Sequence, residues 1–270
     1  MRVSAVQMDV ITGNTAANLE AALRGIEEAA GSGAEVITLP ELWTAGYVWL
    51  AGSDYTGPRE AEQTAEAAAR EEVLSVLGGV ARDEGVWLVA GSLPEITDRG
   101  IRNTAFVIDP GGEIIHRYSK VHLIHLMGEP ANLIAGDDCG TFSLGQWRAG
   151  VMICYDLRFP ELARKLALDG AGVIFIPAQW PAPRIDHWIA LVQARAIENQ
   201  CYVVACNRVG VGGADRFPGH SMIVDPSGQV LARGGEGPCV LTATMDADAV
   251  RRTREFLPCL GDRRPDVYGR

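Results

Sequence analysis

Short apolar runs rich in valine and isoleucine alternate with helix-like segments along most of this chain. The runs read VSAVQ, EVITL, VWLVAG, VMIC, VIFIPA and YVVAC, and the helical patterns cover Asn14 to Ala30, Arg70 to Glu84, Pro160 to Leu168 and Asp186 to Asn199. Several runs are apolar on both faces, as expected of strands that are covered on each side. The alternation therefore predicts an α/β protein.

Two internal similarities indicate how these elements are organised. The segment NTAFVIDPGGEIIHR around Asp109 resembles HSMIVDPSGQVLAR around Asp225, and each predicts a strand, a tight turn and a second strand. VITLPEL and VMICYDL also resemble each other, since each is an apolar strand that breaks into a turn carrying an acid. We therefore expect two similar α/β halves, packed sheet against sheet.

No composition shift and no linker rich in Pro, Gly or Ser divides the 270 residues, so we expect a single domain over residues 1–270. The last stretch, residues 255–270, contains proline, glycine and charge but no periodicity. We expect this C-terminal tail to be ordered by contact with something else, and a neighbouring subunit is one candidate.

Charge and hydropathy restrict the classes of partner. The formal net charge is −10 at pH 7 and the basic residues are scattered, so we expect neither a nucleic acid nor an anionic membrane surface as a partner. The chain opens on RVSAVQ without a signal-peptide pattern, and no stretch is apolar and long enough to span a bilayer. A cytoplasmic protein is predicted.

The six cysteines show neither a CxxC pair nor a Cys/His cluster at metal-ligand spacing. This argues against a disulfide framework and a zinc site, and we expect no metal and no cofactor. Cys201 and Cys206 flank and end the strand YVVAC, and Cys139, Cys239 and Cys259 lie in loop or tail sequence. We interpret these five as structural or incidental thiols.

Three residues lie at positions that suit catalytic side chains. Cys154 follows the apolar strand GVMI and precedes a helix with Pro160 near its start, and backbone N–H groups at such a turn can stabilise an anion. Glu41 lies in TLPEL at the end of another strand, and Lys120 lies in HRYSKVHL after the strand GEIIH. Taken alone, each is better explained as a buried thiol, a solvated loop carboxylate or a surface lysine.

Together the three residue types suit the hydrolysis of an amide. A thiol nucleophile needs a base that takes the S–H proton and then gives it to the leaving ammonia. The tetrahedral intermediate needs a cation and backbone N–H donors for its oxyanion. A glutamate, a lysine and a cysteine fill these roles without a histidine.

The motifs LPEL with Glu41, SKVHL with Lys120 and GVMICYDLRFPE with Cys154 resemble the nitrilase superfamily of carbon-nitrogen hydrolases, in order and broad spacing over nearly the whole chain. The resemblance implies that Glu41 is the general base, that Lys120 helps to stabilise the tetrahedral intermediate, and that Cys154 forms a thioester acyl-enzyme. It also implies that the backbone N–H of Tyr155 shares the oxyanion hole with Lys120. A four-layer αββα sandwich and at least a homodimer are further implications.

Residues around the cysteine separate the branches of the superfamily. CYDLRFPE, PAQWPAPR, QARAIENQ and CNRVG resemble the omega-amidase group more than true nitrilases, which typically read CWEN, or aliphatic amidases, which resemble CRDG. The resemblance implies release of ammonia from the terminal amide of a small carboxylate-bearing substrate such as 2-oxoglutaramate or 2-oxosuccinamate. Glu129 in LMGEPANL corresponds to a second glutamate that family members carry near the triad, and an exposed loop glutamate is the alternative.

Two arginines are candidates for the substrate carboxylate. Arg158 lies four residues after Cys154, and its planar fork suits a carboxylate; a salt bridge to Glu161 or Asp186 is the alternative. Arg184 in WPAPR is a second candidate that ranks below Arg158, because a helix-entry charge explains it as easily.

Aromatic residues next to the predicted strand ends are candidates for the pocket wall, although core packing explains each about as well. They are Trp43, Tyr47, Tyr155 and Trp180.

Other functions are weighed against the amidase. An N-carbamoyl amide hydrolase or a true nitrilase would use the same triad on a different bond, and the CYDLRFPE context argues against both. A catalytically silent binding protein would not need Glu41, Lys120 and Cys154 together. A glutaminase that feeds ammonia to a synthetase would need a separate partner chain.

Overall fold

The computed structural model of the protein describes residues 1–48 and 60–269. The strands in this part of the chain are β1 (Arg2–Gln7), β2 (Val36–Thr38), β3 (Trp87–Thr97), β4 (Gly100–Ile108), β5 (Ile114–Ser119), β6 (Thr141–Leu144), β7 (Trp147–Val151), β8 (Val173–Ala178), β9 (Tyr202–Asn207), β10 (Val209–Gly212), β11 (Asp215–Pro218), β12 (Met222–Val224), β13 (Val230–Arg233) and β14 (Cys239–Thr244). The helices are α1 (Thr15–Gly31), α2 (Glu60–Glu84), α3 (Glu129–Asn132), α4 (Pro160–Leu168), α5 (Ile185–Asn199), α6 (Ala247–Phe256) and α7 (Pro265–Tyr268).

The predicted alternation of strands and helices is confirmed, with differences at the element ends. α4 has the predicted bounds, and α5 begins one residue before Asp186. α2 begins at Glu60, ten residues before the predicted Arg70. The sequence EAEQTAEAAA has strong helix formers but lacks the regular apolar spacing from which the helix was predicted.

The strands form two six-stranded sheets and one two-stranded ribbon of β10 and β11. The order is β14-β1-β2-β3-β4-β5 in the first sheet and β13-β12-β9-β8-β7-β6 in the second. In the first sheet β1, β2 and β3 are parallel, and the antiparallel hairpin β4–β5 follows; in the second, β7, β8 and β9 are parallel, and β12–β13 follows. One further antiparallel strand, β14 or β6, borders each sheet. The prediction of two similar halves is confirmed.

The two hairpins that looked alike in sequence are built around the same turn. The Asp109 side chain accepts hydrogen bonds from the backbone N–H of Gly111 at 2.8 Å and of Glu113 at 3.0 Å. The Asp225 side chain accepts from the residues two and four positions later, both at 2.9 Å. An aspartate that bonds the backbone two residues on is a common way to close a tight turn.

Apolar side chains hold the two sheets and their helices in four layers. The core between the sheets contains residues of both, including Val3, Ala105, Phe175 and Val204. The helices α1 and α2 pack on the outer face of the first sheet, through residues such as Ile26 and Leu77. The helices α4 and α5 cover the second sheet, through residues such as Leu166, Trp188 and Val192. The predicted four-layer αββα sandwich is confirmed.

The C-terminal stretch differs in part from the predicted tail. α6 extends to Phe256, and α7 is a single turn in the otherwise irregular end of the chain. Large apolar side chains are exposed here: Phe256, Leu257, Val267 and Tyr268. Contact of this segment with a second subunit stays a prediction, as does the single-domain organisation. None of the described helices is long and apolar enough to cross a membrane.

Candidate active site

Four residues predicted from the motifs meet where strands end. Glu41 lies three residues after β2, Lys120 directly follows β5, and Cys154 lies three residues after β7. The Lys120 ammonium donates to Glu41 Oε1 at 2.9 Å and to Glu129 Oε1 at 2.6 Å. Glu41, Lys120 and Glu129 have no exposed surface, and Cys154 is 4% exposed. The alternatives of an exposed carboxylate, a surface lysine and an exposed loop glutamate are therefore wrong.

The cysteine occupies a strained turn between strand and helix. β7 ends at Val151 rather than at the predicted Ile153, and a single-turn 3₁₀ helix covers Cys154–Arg158. Cys154 has a φ of 46°, a left-handed conformation that side chains with a Cβ rarely adopt. Its Sγ lies 3.8 Å from the carbonyl oxygen of Gln179. Strain of this kind persists only when surrounding contacts fix the turn.

The Glu41 carboxylate is fully held by neighbours that the sequence did not identify. Asn103 Nδ2 donates to Oε1 at 2.8 Å, and the backbone N–H of Gln179 donates to Oε2 at 2.9 Å. With Lys120, these donors fix the orientation of the carboxylate. Asn103 opens the segment NTAFVIDPGGEIIHR, and nothing in that pattern marks it as a partner of Glu41.

Arg208 supports the Glu41 site indirectly, through Gln179. It is fully buried and donates to Gln179 Oε1 at 3.2 Å. That contact turns Gln179 Nε2 towards the carbonyl oxygens of Glu41 and Leu42, at 2.7 Å and 3.3 Å. Burial lowers the pKa of Arg208 to about 10. Its position in CNRVG gave no sign of this role, since Gln179 and Arg208 meet only when β8 and β9 pair side by side.

Burial and charge set the protonation of the cluster. Burial raises the pKa of the Cys154 thiol, and the negative charge of Glu41 raises it further. Burial lowers the pKa of Lys120, but the charges of Glu41 and Glu129 outweigh it and raise that pKa above its ordinary value. Burial raises the pKa of Glu129 more than Lys120 lowers it. At neutral pH the cluster therefore contains a thiol and an ammonium, and the thiol needs a base when it reacts.

Donors for an oxyanion are available beside the sulfur. An ammonium has three N–H donors, and Lys120 uses two of them on Glu41 and Glu129. The backbone N–H of Tyr155 follows Cys154 at the start of the 3₁₀ turn and forms no hydrogen bond within residues 1–48 and 60–269. One ammonium N–H and one backbone N–H are the donor set that a tetrahedral intermediate needs.

A small pocket opens onto Cys154, with an empty volume of about 220 Å³. It is lined by Ile124, Met127, Cys154, Tyr155, Arg158, Trp180, Pro181 and Arg184.

Both candidate arginines line this pocket. The Arg158 guanidinium stacks over the Trp180 ring at 4.7 Å, and its terminal nitrogens lie 3.3 Å from His187 Nδ1. Burial lowers the pKa of Arg158, and the nearby charge of Arg184 lowers it further. Neither arginine forms an ion pair with a carboxylate of the described residues, so the predicted alternative of a salt bridge for Arg158 is wrong.

The aromatic candidates divide between pocket and core. Trp180 lines the pocket, and its Nε1 donates to the carbonyl oxygen of Arg184 at 2.7 Å. Tyr47 does not line the pocket. Its hydroxyl donates to Glu129 Oε1 at 3.0 Å, within the buried cluster of Glu41, Lys120 and Glu129. Trp43 packs in the core between the first sheet and its helices, so of its two explanations core packing is the right one.

The remaining cysteines have different surroundings from Cys154. Cys201 and Cys206 are fully buried, and burial raises the pKa of Cys201 to about 12. The Cys206 thiol donates to carbonyl oxygens of β1 and β2. Within residues 1–48 and 60–269 no three His, Cys, Asp or Glu side chains are grouped to hold a metal ion.

An αββα sandwich with a buried glutamate, lysine and cysteine at the strand ends defines a class of hydrolase that acts on carbon–nitrogen bonds. Residues 2–255 match the model of the family described as carbon-nitrogen hydrolase, and the chain belongs to this family. The superfamily predicted from the motifs is thereby confirmed.

Similar proteins indicate which carbon–nitrogen bond hydrolases this chain resembles most. The chain is 41% identical to 2-oxoglutaramate amidase of Bacillus subtilis over 98% of both chains. It is 32% identical to omega-amidase YafV of Escherichia coli K12, over 97% of this chain and 96% of that one. A solved variant of the amidase from Nesterenkonia sp. AN1, with acrylamide added to its active-site cysteine, is 29% identical with a TM-score of 0.85, over 99% of this chain and 98% of that one. The predicted likeness to omega-amidases is confirmed, and the protein is an amide-hydrolysing enzyme.

Proposed function

We propose that this enzyme hydrolyses the terminal amide of a small carboxylate-bearing substrate, of the 2-oxoglutaramate or 2-oxosuccinamate type, to an acid and ammonia. Arg158 and Arg184 carry the proposal, since two guanidinium groups without a carboxylate partner among the described residues line the pocket over Cys154. Half-buried arginines that repel each other are stabilised when an anion binds between or beside them.

The relatives support the same substrate class. One is a 2-oxoglutaramate amidase and another an omega-amidase, and both align over nearly the whole of this chain. The solved amidase variant from Nesterenkonia sp. AN1 is covalently modified at its active-site cysteine, which supports a nucleophilic role for Cys154.

The contacts of the cluster support the following acylation step. Glu41 takes the proton from the Cys154 thiol as Sγ attacks the amide carbon, because the raised pKa of the thiol disfavours a free thiolate. The carbonyl oxygen becomes an oxyanion that accepts from Lys120 Nζ and from the backbone N–H of Tyr155. Glu41 then donates its proton to the nitrogen, the carbon–nitrogen bond breaks, and ammonia leaves a thioester on Cys154.

Deacylation reverses the proton path. Glu41 takes a proton from a water molecule as the water oxygen attacks the thioester carbon, and the same donors stabilise the second oxyanion. The carbon–sulfur bond breaks, the proton returns to Sγ, and the acid is released. Glu129 and Tyr47 hold the Lys120 ammonium in place during both halves of the reaction.

Ammonia release from a matched panel tests the proposal. The panel contains 2-oxoglutaramate, 2-oxosuccinamate, neutral amides of the same length, nitriles and N-carbamoyl amino acids. We expect the anionic amides to give the highest kcat/KM, and the Cys154→Ala variant to give no release above background. Preference for nitriles or carbamoyl compounds would contradict the proposal in favour of the other branches of the superfamily. A homodimer and a cytoplasmic location stay predictions from the sequence.

A further inference from the structure

We propose that Asp156 and His122 form a clasp that positions the Cys154 turn against the Lys120 segment. Each lies two residues after a residue of the active-site cluster, His122 after Lys120 in SKVHL and Asp156 after Cys154 in CYDL. The clasp rests on the proposed roles of Cys154 and Lys120. His122 and Asp156 do not line the pocket, so they act through other residues and are positioning residues.

A single buried carboxylate ties together both sides of the cluster. Asp156 has no exposed surface, and its Oδ2 accepts from the backbone N–H of Ile153 at 3.0 Å and from the Tyr118 hydroxyl at 2.6 Å. Its Oδ1 accepts from the backbone N–H of His122 at 3.0 Å and lies 2.7 Å from His122 Nδ1. A carboxylate has about four lone-pair sites, and all four are used. Asp156 therefore holds the residue before Cys154 and the segment after Lys120 at once.

The His122 ring has a fixed tautomer and a fixed plane. Because an ionised carboxylate only accepts, Nδ1 must carry the hydrogen that bonds Asp156. The ring stacks on Phe159, with centroids 3.6 Å apart and planes 7° from parallel. Phe159 directly follows the 3₁₀ turn that begins at Cys154. The ring therefore also contacts the residue after the turn, but the clasp itself consists of the two hydrogen bonds between His122 and Asp156.

The clasp matters for catalysis for two reasons. The Cys154 turn is strained, and the position of Lys120 affects both the pKa of the thiol and the stabilisation of the oxyanion. A residue with a φ of 46° relaxes unless its neighbours hold it. The charge of Lys120 lowers the pKa of the Cys154 thiol, against the effects of burial and of Glu41. If the two segments drift apart, the thiol loses this stabilisation and the oxyanion loses a donor. Both effects act on the chemical step rather than on substrate binding.

Two substitutions of His122 separate the hydrogen bond from the stacking. His122→Asn keeps an N–H donor close to the position of Nδ1 but loses the ring, and His122→Phe keeps the ring but loses the donor. We expect His122→Phe to lower kcat by about 10-fold or more with KM changed by less than about 3-fold, and His122→Asn to stay within about 3-fold of the parent in kcat. Inactivation of Cys154 by iodoacetamide at fixed pH should slow in His122→Phe and should need a higher pH.

The matched control is His116→Phe. His116 lies on β5 and stacks on Phe142 at 4.7 Å, and its Nε2 has no hydrogen-bond partner in the described part of the chain. The same change of ring at this position should leave kcat and the iodoacetamide profile unaltered. Thermal unfolding of every variant separates loss of stability from loss of positioning.

The outcomes are distinguishable. If His122→Phe lowers only the melting temperature and keeps the parent kcat and alkylation profile, the clasp is structural and the inference is wrong. If His122→Asn loses kcat while His122→Phe keeps it, stacking positions the turn and the hydrogen-bonded clasp is wrong. If Cys154→Ala keeps its turnover, the proposed chemistry itself fails. If Cys154→Ala is inactive and His122→Phe is fully active, the proposed chemistry stands and only the inference about the clasp is wrong.

Discussion

Replacing Arg158 with alanine should remove the proposed preference of the enzyme for anionic amides over neutral ones. The guanidinium is held over Trp180 at 4.7 Å and beside His187, so it is oriented before the substrate binds. Hydrogen bonds to charged groups contribute about 1.5–3 kcal/mol. Loss of this contact should therefore lower kcat/KM for 2-oxoglutaramate by about 10- to 150-fold.

A neutral amide of the same length provides the comparison, because it makes no charged contact with the arginine. We expect its kcat/KM to change by less than about 3-fold in Arg158→Ala. Arg158→Lys keeps the charge but loses the planar fork, and should recover only part of the activity on the anionic amide. Arg24→Ala, at an exposed arginine of α1 outside the pocket, is the control for removal of a positive charge.

The assay is ammonia release at several substrate concentrations for both amides with each variant. An equal fall in kcat/KM for the anionic and the neutral amide would refute the reasoning, because Arg158 would then support the fold or the chemical step in general. An unchanged kcat/KM for both would assign the substrate carboxylate to Arg184 or to neither arginine.

The remaining predictions concern the nucleophile, its support and the assembly. Cys154→Ala should lose turnover with an unchanged melting temperature. Cys206→Ala should keep turnover and melt at a lower temperature, because its thiol is packed between the sheets. The reverse pattern would show that Cys154 is not the nucleophile. In Gln179→Met the new side chain has nearly the same shape but cannot donate to the carbonyl oxygen of Glu41. This variant should lower kcat by about 10-fold or more with KM nearly constant. An unchanged kcat would contradict a supporting role for Gln179. Light scattering across the micromolar range should give at least a dimer, and a monomer would reject the predicted contact of residues 255–270 with a second subunit.

The motifs predicted the members of the cluster because chemistry restricts residue types. Glu41, Lys120 and Cys154 are each ambiguous alone, and the order of their motifs along the chain resolves the ambiguity, whereas Glu129 is implied only by the family resemblance. The structure brings Glu41 and Glu129 within hydrogen-bond reach of Lys120, across separations of 79 and 9 residues. Arg158 and Arg184 were also predicted for the pocket, from their spacing after Cys154 and after a strand end.

Sequence alone determined six apolar strands, the two hairpins, the helices α1, α2, α4 and α5 and the repeat of two halves, because apolar periodicity and turn chemistry are local properties. It did not predict β6, β10, β11 and β14. Only the tertiary structure decided that Trp180 faces the pocket while Trp43 fills the core, since both follow strands in the same way. It also decided that Asn103 and Gln179 hold Glu41, that Arg208 bonds Gln179, and that His122 meets Asp156. Asn103 reaches Glu41 across 62 residues within the first sheet. The contacts of Gln179 with Glu41 and of His122 with Asp156 span 138 and 34 residues, and they are fixed only when the two sheets pack against each other.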